Sequence, residues 1–189
     1  VVGNLNTLLG RQLIDTGLDS EYHIRTSSLT AMDTIDFNDK WTGFAGLRYD
    51  HFDYTNVVGS GAKTVYDYSD GFLNGHAGVT YKITPKGNVY ASVSTSTDIN
   101  GGESDVGGSC GYGGLCGTPQ QVADSKPEST TSYEVGTKWQ VLQDKLLLTA
   151  ALFRTIKSDV AESLTAAQYT TTGTLNTGKN QIQGVEFSV

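Results

Sequence analysis

Histidine, cysteine and carboxylate side chains could do chemistry in this 189-residue chain, but their spacing argues against an enzyme. The three histidines are scattered, and no Ser or Cys shares a recognisable motif with a His and a carboxylate. Residues 98–103 are similar to the start of a calcium loop, but Gly102 takes a ligand position, and Ser109 stands where a bidentate Glu is required. The sequence therefore predicts no catalytic site, no metal site and no cofactor.

The elements that would position such side chains follow a regular rhythm. Segments of alternating apolar and polar residues, about a dozen residues long, are joined by tight turns and long loops in alternation. Tight turns are expected at 38–40, 84–88 and 143–145, and long loops near 55–71, 97–129 and 157–177. Short turns at one end and long loops at the other are typical of outer-membrane barrels. The sequence predicts an all-β fold, an antiparallel up-and-down transmembrane β-barrel segment.

Composition narrows the range of partners. The chain carries 13 Lys and Arg against 20 Asp and Glu, and this net charge of −7 disfavours nucleic acid, which requires basic patches. No stretch approaches the roughly 20 apolar residues of a membrane helix, whereas a barrel needs only alternate apolar residues. No signal peptide opens the chain, so we expect a processed protein or a segment of a longer one.

Alternation along the strands assigns side chains to two faces. Polar residues that alternate with apolar ones should face the lumen. Leu146 to Ile156 is apolar at both parities, so alternation leaves its facing open. Val1 to Ile14 matches the period poorly but would be the first strand, which gives about eight strands in total. The charged residues expected to face the lumen are Arg48, Glu134, Lys138 and Glu186.

The two cysteines, Cys110 and Cys116, lie in the longest predicted loop. The route to the outer membrane is oxidising, so a disulfide that pinches this loop is the preferred interpretation, with free thiols as the alternative. A metal site is disfavoured, because the pair lacks CxxC spacing and a nearby His.

Five sequence elements together are similar to one known family, and their order and spacing match it across nearly the whole chain. This set resembles the mid-to-late barrel of TonB-dependent ferric-siderophore receptors, particularly the catecholate type. The elements are Gly-Leu-Arg-Tyr-Asp at 46–50, Asn-Val-Tyr-Ala-Ser at 88–92, Lys-Pro-Glu at 126–128 followed by Ser-Tyr-Glu-Val-Gly-Thr-Lys-Trp at 132–139, Leu-Thr-Ala-Ala-Leu-Phe-Arg-Thr at 148–155, and Gly-Lys-Asn-Gln-Ile-Gln-Gly-Val-Glu at 178–186.

The resemblance also implies what a complete receptor contains. Such receptors have a 22-stranded barrel filled by an N-terminal plug, preceded by a short box that pairs with TonB. Neither the plug nor the box is recognisable in residues 1–189, and family chains continue through further strands. We therefore expect about eight of the 22 strands to be covered here.

By resemblance, the protein is an outer-membrane transport receptor and not an enzyme. It would bind a ferric siderophore outside and import it with energy from the TonB complex, which acts through the plug, while lipid surrounds the barrel. A ferric catecholate is a large anion with flat aromatic faces, so its recognition calls for aromatic surfaces and cations on the outer loops. The candidate loop residues are Tyr54, Lys63, Tyr66, Tyr68 and Tyr112, although any tyrosine could instead only order its loop.

Several alternatives stay open on the sequence alone. The inward charged residues could contact the plug, but pairing across strands in a wet lumen is the preferred role. An autonomous eight-stranded outer-membrane barrel with an adhesive or structural role is a second reading of the strand count. A third is a soluble secreted β-sandwich that binds a ligand through its cysteine loop and folds without detergent.

Overall fold

The structure, a computed structural model, describes residues 20–59, 62–99, 118–162, 166–174 and 176–189. Within them, seven strands form a single antiparallel sheet in sequence order. The strands are β1 (Ser20–Asp36), β2 (Trp41–Val58), β3 (Thr64–Thr84), β4 (Gly87–Asp98), β5 (Glu128–Val141), β6 (Leu146–Ala161) and β7 (Asn176–Ser188). Two short helices, α1 (Pro119–Ala123) and α2 (Ala166–Thr172), lie in the connections. Neither of these described helices is long and apolar enough to cross a membrane.

Short turns close one end of the sheet. In the β1–β2 turn, Asn38 Oδ1 accepts hydrogen bonds from the backbone N–H groups of Lys40 and Trp41, at 2.9 and 3.1 Å. Pro85 and Lys86 form the β3–β4 turn. The β5–β6 turn contains three consecutive non-glycine residues with positive φ, from Leu142 to Asp144. An ion pair between Lys86 Nζ and Asp144 Oδ1, at 2.9 Å, joins two of these turns.

The longer connections lie at the other end of the sheet, but they are shorter than predicted. They comprise residues 59–63, 99–127 and 162–175, instead of 55–71, 97–129 and 157–177. The largest difference is between β2 and β3, because polar pairs continue the strand pairing after the apolar pattern stops. Ser69 Oγ donates to Asp53 at 2.8 Å, and Thr55 Oγ1 donates to Asp67 at 2.9 Å. The 21 residues of β3 far exceed the roughly 9–11 that cross a membrane.

The register sorts the side chains into an apolar face and a polar face. Cross-strand partners share a face, so the pairs Leu29 with Tyr49, and Tyr49 with Leu73, mark the apolar one. At its short-turn border, the rings of Trp41 and Tyr81 lie 4.7 Å apart, as in an aromatic girdle.

The register also resolves the facing of β6, which alternation left open. Leu152 pairs with Val135 and Val185 on the apolar face, whereas Phe153 pairs with Glu134 and Gly184 on the polar face. Even-numbered residues of β6 from Leu146 to Ile156 therefore belong to the apolar face. The remaining positions of this segment join the polar face.

The prediction of an all-β, antiparallel up-and-down sheet is confirmed. The alternative of a β-sandwich does not fit, since the described strands form one layer and not two packed sheets. Seven of the expected eight strands are described, and the proposed first strand, Val1 to Ile14, lies outside the described residues. β1 and β7 are not paired with each other, so the described sheet is open.

Candidate functional site

The polar face carries a charged cluster near the middle of β2. Arg48 Nε donates to both carboxylate oxygens of Asp50, at 2.9 and 2.8 Å, and Nη2 adds a bond to Oδ1 at 2.8 Å. Ser28 on β1 accepts from Arg48 Nη2 at 3.0 Å and donates to Asp50. Asp50 is 4% exposed, whereas the Arg48 side chain is 55% exposed. The carboxylate thus fixes Arg48 in place, and its guanidinium still faces open space.

A second polar cluster lies on β4 and β5. Tyr90 donates from its hydroxyl to Glu134 Oε1 at 2.6 Å, and Lys138 Nζ lies 5.2 Å from the centre of the Tyr90 ring. The register continues from Tyr90 through Gly136 and Ala151 to Glu186, so only small residues separate the tyrosine from Glu186.

All four charged residues expected to face inward therefore share the polar face. They are Arg48, Glu134, Lys138 and Glu186. Arg48 pairs with Asp50 on its own strand, and Glu134 accepts from Tyr90 on the neighbouring strand. A structural role for the four residues stays a prediction. That this face lines the lumen of a closed barrel stays a prediction.

An aromatic cluster lies on the polar face at the long-loop end. Phe52 and Tyr54 of β2 and Tyr68 of β3 are 1%, 4% and 5% exposed, and they pack with Val122 of α1. The rings of Phe52 and Tyr68 meet edge to face with centroids 5.1 Å apart, a favoured aromatic geometry. Partly buried side chains around this cluster are Tyr66, Phe72 and Ile99.

Helix α1 covers this aromatic cluster, and its first residues form a well-defined helix start. Thr118 accepts from the Gln121 N–H at 3.3 Å, and the Gln121 side chain accepts from the Thr118 N–H at 2.8 Å, which makes a capping box. Pro119 follows at a position where a missing N–H costs nothing. The helix directs Val122 into the cluster, where it is fully buried.

The β4–β5 and β6–β7 connections are joined to each other. Asn176 accepts from the Lys126 N–H at 2.9 Å, and its Nδ2 donates to the carbonyls of Lys126 and Asp159 at 2.9 and 2.7 Å. Tyr169 of α2 donates to Asp124 Oδ2 at 2.7 Å, just after α1. Hydrogen bonds from Gln120 and Tyr169 hold the pKa of Asp124 below its usual value, and the bond to Asp124 raises the pKa of Tyr169.

An ion pair at the base of these connections is nearly buried. Lys157 Nζ lies 2.9 Å from Glu128 Oε2, with side-chain exposures of 18% and 8%. Removing one partner of such a pair leaves an uncompensated charge away from water. The start of β5 and the end of β6 are thereby held together beneath the loops.

The structure corrects the placement of the predicted ligand residues. Tyr54, Tyr66 and Tyr68 were expected in or beside a long loop, but they lie on β2 and β3, because the two strands extend to Val58 and from Thr64. Tyr54 and Tyr68 are buried under α1 and offer no free ring face, whereas Tyr66 is only partly buried. Lys63 lies in the β2–β3 connection and is exposed. Tyr112, Cys110 and Cys116 lie outside the described residues.

Four residues that organise this end of the sheet were not found from the sequence. They are Phe52, Phe72, Val122 and Asn176. The pattern Thr118-x-x-Gln121, with Pro119 directly after Thr118, is a recognisable helix start and could have indicated α1. Nothing comparable marks Asn176, whose partners are backbone groups 17 and 50 positions away. In the described part of the chain, no group of three or more His, Cys, Asp or Glu side chains could hold a metal ion.

Comparison with known proteins matches the chain to one family. The family described as "TonB dependent receptor-like, beta-barrel" matches residues 3–189. The chain is 36% identical over 180 residues to the "Probable TonB-dependent receptor BfrD" of Bordetella pertussis, covering 90% of this chain and 22% of that protein. It is 31% identical over 201 residues to the "Catecholate siderophore receptor Fiu" of Escherichia coli strain K12, covering 94% of this chain and 25% of the relative. The chain thus spans about a quarter of these relatives or less.

Solved structures give the same result for the fold. The siderophore receptor PiuA from Acinetobacter baumannii superposes with a TM-score of 0.74 at 27% identity, covering 89% of this chain and 23% of PiuA. The ferric-catecholate import receptor Fiu from Escherichia coli K12 superposes with a TM-score of 0.68 at 28% identity, covering 89% of this chain and 26% of Fiu. The open seven-stranded sheet is therefore the same kind of sheet that these receptors contain.

Proposed function

The chain belongs to the TonB-dependent receptor family, whose β-barrels lie in the bacterial outer membrane, and from this we propose that the protein imports ferric siderophores. It binds the ferric complex at its outer face and transports it with energy from TonB. The protein acts as a transporter and not as an enzyme. TonB reaches it through a plug region, as in the family at large.

The match across nearly the whole chain is the observation that carries this proposal. We infer a catecholate cargo because one relative is named a catecholate siderophore receptor and a structural neighbour a ferric-catecholate import receptor. A ferric catecholate is anionic and aromatic, so an exposed cation and an accessible ring at the outer end would favour it.

Lys63 and Tyr66 remain the proposed ligand contacts among the described candidates. Lys63 is exposed in the β2–β3 connection, and Tyr66 is only partly buried on the polar face of β3. Tyr54 and Tyr68 instead form the wall on which α1 rests, so they act on the ligand through the position of that helix. Tyr112 also stays a proposed contact.

The function can be tested with the complete receptor in a strain that makes no siderophore of its own. Uptake of radioactive iron should occur with a ferric catecholate, should be weaker with a ferric hydroxamate, and should stop when TonB is deleted. Equal uptake of the two complexes would overturn the catecholate assignment. Uptake that persists without TonB, or no uptake of any ferric siderophore, would overturn the transport proposal.

A matched pair of substitutions tests whether α1 shapes the binding site. Val122→Asp places a charge in the aromatic cluster, whereas Ala123→Asp adds the same charge at the exposed neighbouring position. Burying an unpaired carboxylate is strongly unfavourable, so Val122→Asp should detach α1 from the sheet. We expect weaker ferric-catecholate binding for Val122→Asp and wild-type binding for Ala123→Asp. Equal ferric-catecholate affinities for both variants would show that α1 does not contribute to ligand recognition.

A further inference from the structure

A half-enclosed pocket lies at the short-turn end of the sheet, beside the β3–β4 turn on the polar face. Its volume is about 240 Å³. Lys82 and Lys138 line it and flank Asn88 of β4, because each of them pairs with Asn88 in the register. Gln140 and Leu147, which pair across β5 and β6, also line it. The pocket thus brings two ammonium groups, two amides and one apolar side chain together.

Neither Lys82 nor Lys138 forms an ion pair with a carboxylate of the described residues. The other lysine of the lining, Lys86, is paired with Asp144 of the β5–β6 turn, and no carboxylate is among the described residues that line the pocket. Two unpaired ammonium groups create a local positive potential, although the chain carries a net charge of −7. The pocket therefore attracts anions.

Two carboxylates of the polar face lie farther from the turns than the pocket does. Glu134 precedes Lys138 by four residues on β5, a backbone separation of about 13 Å, and its carboxylate accepts from the Tyr90 hydroxyl at 2.6 Å. Glu186 lies two strands from Lys138 and one pairing row farther from the turns, roughly 12 Å away by the same strand spacings. An anion in the pocket thus contacts the lysines and neither glutamate.

We propose that this pocket is an inner binding site for the anionic ferric siderophore on its way into the periplasm. Short turns face the periplasm in barrels of this class, which assigns the pocket to the inner end of the polar face. Its volume is below the roughly 300–1,000 Å³ of pockets that enclose a drug-sized ligand, so it takes one catecholate ring and not the whole complex. The ring oxygens bind Lys82 and Lys138, and the flat face of the ring packs against Leu147. This site rests on the proposed transport function and adds to it a second contact, made after binding at the outer end.

The test measures binding and uptake separately for the complete receptor, in a strain that makes no siderophore. Lys82→Gln combined with Lys138→Gln should leave the affinity of cells for a ferric catecholate unchanged when TonB is deleted, because the complex binds first at the outer end. With TonB present, this double variant should lower the maximal rate of iron uptake about tenfold, the effect of losing about one charge-assisted hydrogen bond. Lys82→Arg combined with Lys138→Arg keeps both charges and should restore most of the rate.

Two comparisons separate this site from a structural role of the two lysines. Lys40→Gln combined with Lys145→Gln removes two exposed lysines from the same end of the sheet, outside the pocket, and should leave the rate unchanged. In the glutamine variant of the pocket, uptake of an uncharged ferric trihydroxamate should fall by a smaller factor than uptake of the catecholate. An equal factor for both complexes, an equal loss in the control, or an unchanged catecholate rate would overturn the inner site and leave the transport function intact. No uptake by the wild type would overturn both proposals.

Discussion

The amide of Asn176 joins the starts of β5 and β7 to the end of β6. The residue is buried, and its oxygen and nitrogen together make three hydrogen bonds to the backbone of Lys126 and Asp159. The strand pairing is irregular here, between Ser158 and Ala161, and Asp159 has a φ of 57°. One side chain thus replaces bonds that the regular ladder cannot make.

Asn176→Asp should loosen this junction although the side chain keeps its shape. A carboxylate oxygen would replace the donor that faces the carbonyls of Lys126 and Asp159. Leaving buried polar groups unsatisfied costs about 1–3 kcal/mol, so the free energy of local opening should fall by that amount. The measurement is amide hydrogen exchange at Lys126 in the complete receptor. Asn180→Asp, at an exposed position of β7, is the control and should leave the exchange rate at Lys126 unchanged.

The Tyr169 to Asp124 hydrogen bond should have a defined pH range. The pKa of folded Asp124 lies below its ordinary 3.8, so its contribution is complete above 3.8 and is lost as the pH falls through the lowered value. The pKa of folded Tyr169 lies above its ordinary 10.0, so its contribution is complete below 10.0 and is lost as the pH rises through the raised value. The bond is therefore at full strength between these two values.

The pH titration of the Asp124 carboxyl carbon, followed by its NMR chemical shift, can check the role of Tyr169 in this bond. Tyr169→Phe removes the donor, so the titration midpoint of Asp124 should move up toward 3.8. The Gln120 side chain still donates to the same carboxylate at 3.0 Å, so part of the lowering should persist. An unchanged midpoint would mean that Tyr169 does not hold Asp124 in solution.

Between neighbouring strands, several large rings lie over glycines. Phe44 faces Gly78, Tyr90 faces Gly136, and Phe153 faces Gly184 across the polar face. At each of these glycines, a Cβ atom would come within 2.5–2.8 Å of the ring opposite. The missing side chain is what lets the ring lie flat against the adjacent strand.

Gly136→Ala should disturb the strand pair β4–β5 through Tyr90. The new Cβ would lie 2.5 Å from Tyr90 Cζ and Oη, so the ring must move and its bond to Glu134 is lost. Overpacking of this kind costs about 1–3 kcal/mol. Denaturation of the complete receptor should show this loss. In a Tyr90→Leu background the same substitution should cost little, and additive effects of the two changes would contradict the proposed clash.

Sequence patterns could predict the strands where the two faces differ in polarity. Trp41 to Tyr49 and Val89 to Val93 alternate clearly, and the structure has both as strands. From Asp50 to Asn56, both faces of β2 carry polar or aromatic residues, so the pattern ends while the strand continues to Val58. That is why Tyr54, Tyr66 and Tyr68 were expected in or beside a loop.

The candidate site was less predictable than the fold, because its contacts are distant in sequence. Val122 meets Phe52 and Tyr68 only after the β4–β5 connection returns to β3. Alternation describes neighbours within one strand and carries no information about such a return. The capping residues around Pro119 predict that a helix starts there, but not the surface on which it rests.

For the molecule as a whole, the main division is between its two faces. Ala150 and Ala151 are adjacent in β6, but the register assigns Ala150 to the apolar face and Ala151 to the polar one. An identical substitution at the two positions therefore compares the apolar face with the polar face at nearly the same position along the strand. The original residue and the new residue are the same at both positions, so the two variants differ only in the face that they change.

Ala150→Lys should destabilise the complete receptor, whereas Ala151→Lys should be tolerated. A lysine on the lipid face costs about 2–4 kcal/mol near the bilayer centre. A lysine at Ala151 instead lies beside Glu186 on the polar face. The measurement is the yield of folded receptor in outer membranes at equal expression. Equal yields, or a larger loss for Ala151→Lys, would contradict the assigned facing of β6.

The sequence order of the strands has a consequence for how this part of the protein is assembled. Each strand pairs with the one that follows it, so the sheet can grow by one hairpin after another with little loop entropy to overcome. The contacts of α1 with β3, and of Asn176 with Lys126, instead join distant positions and require both partners to be in place. Insertion should therefore proceed from strand to strand, and the outer end should close last, over a sheet that has already formed.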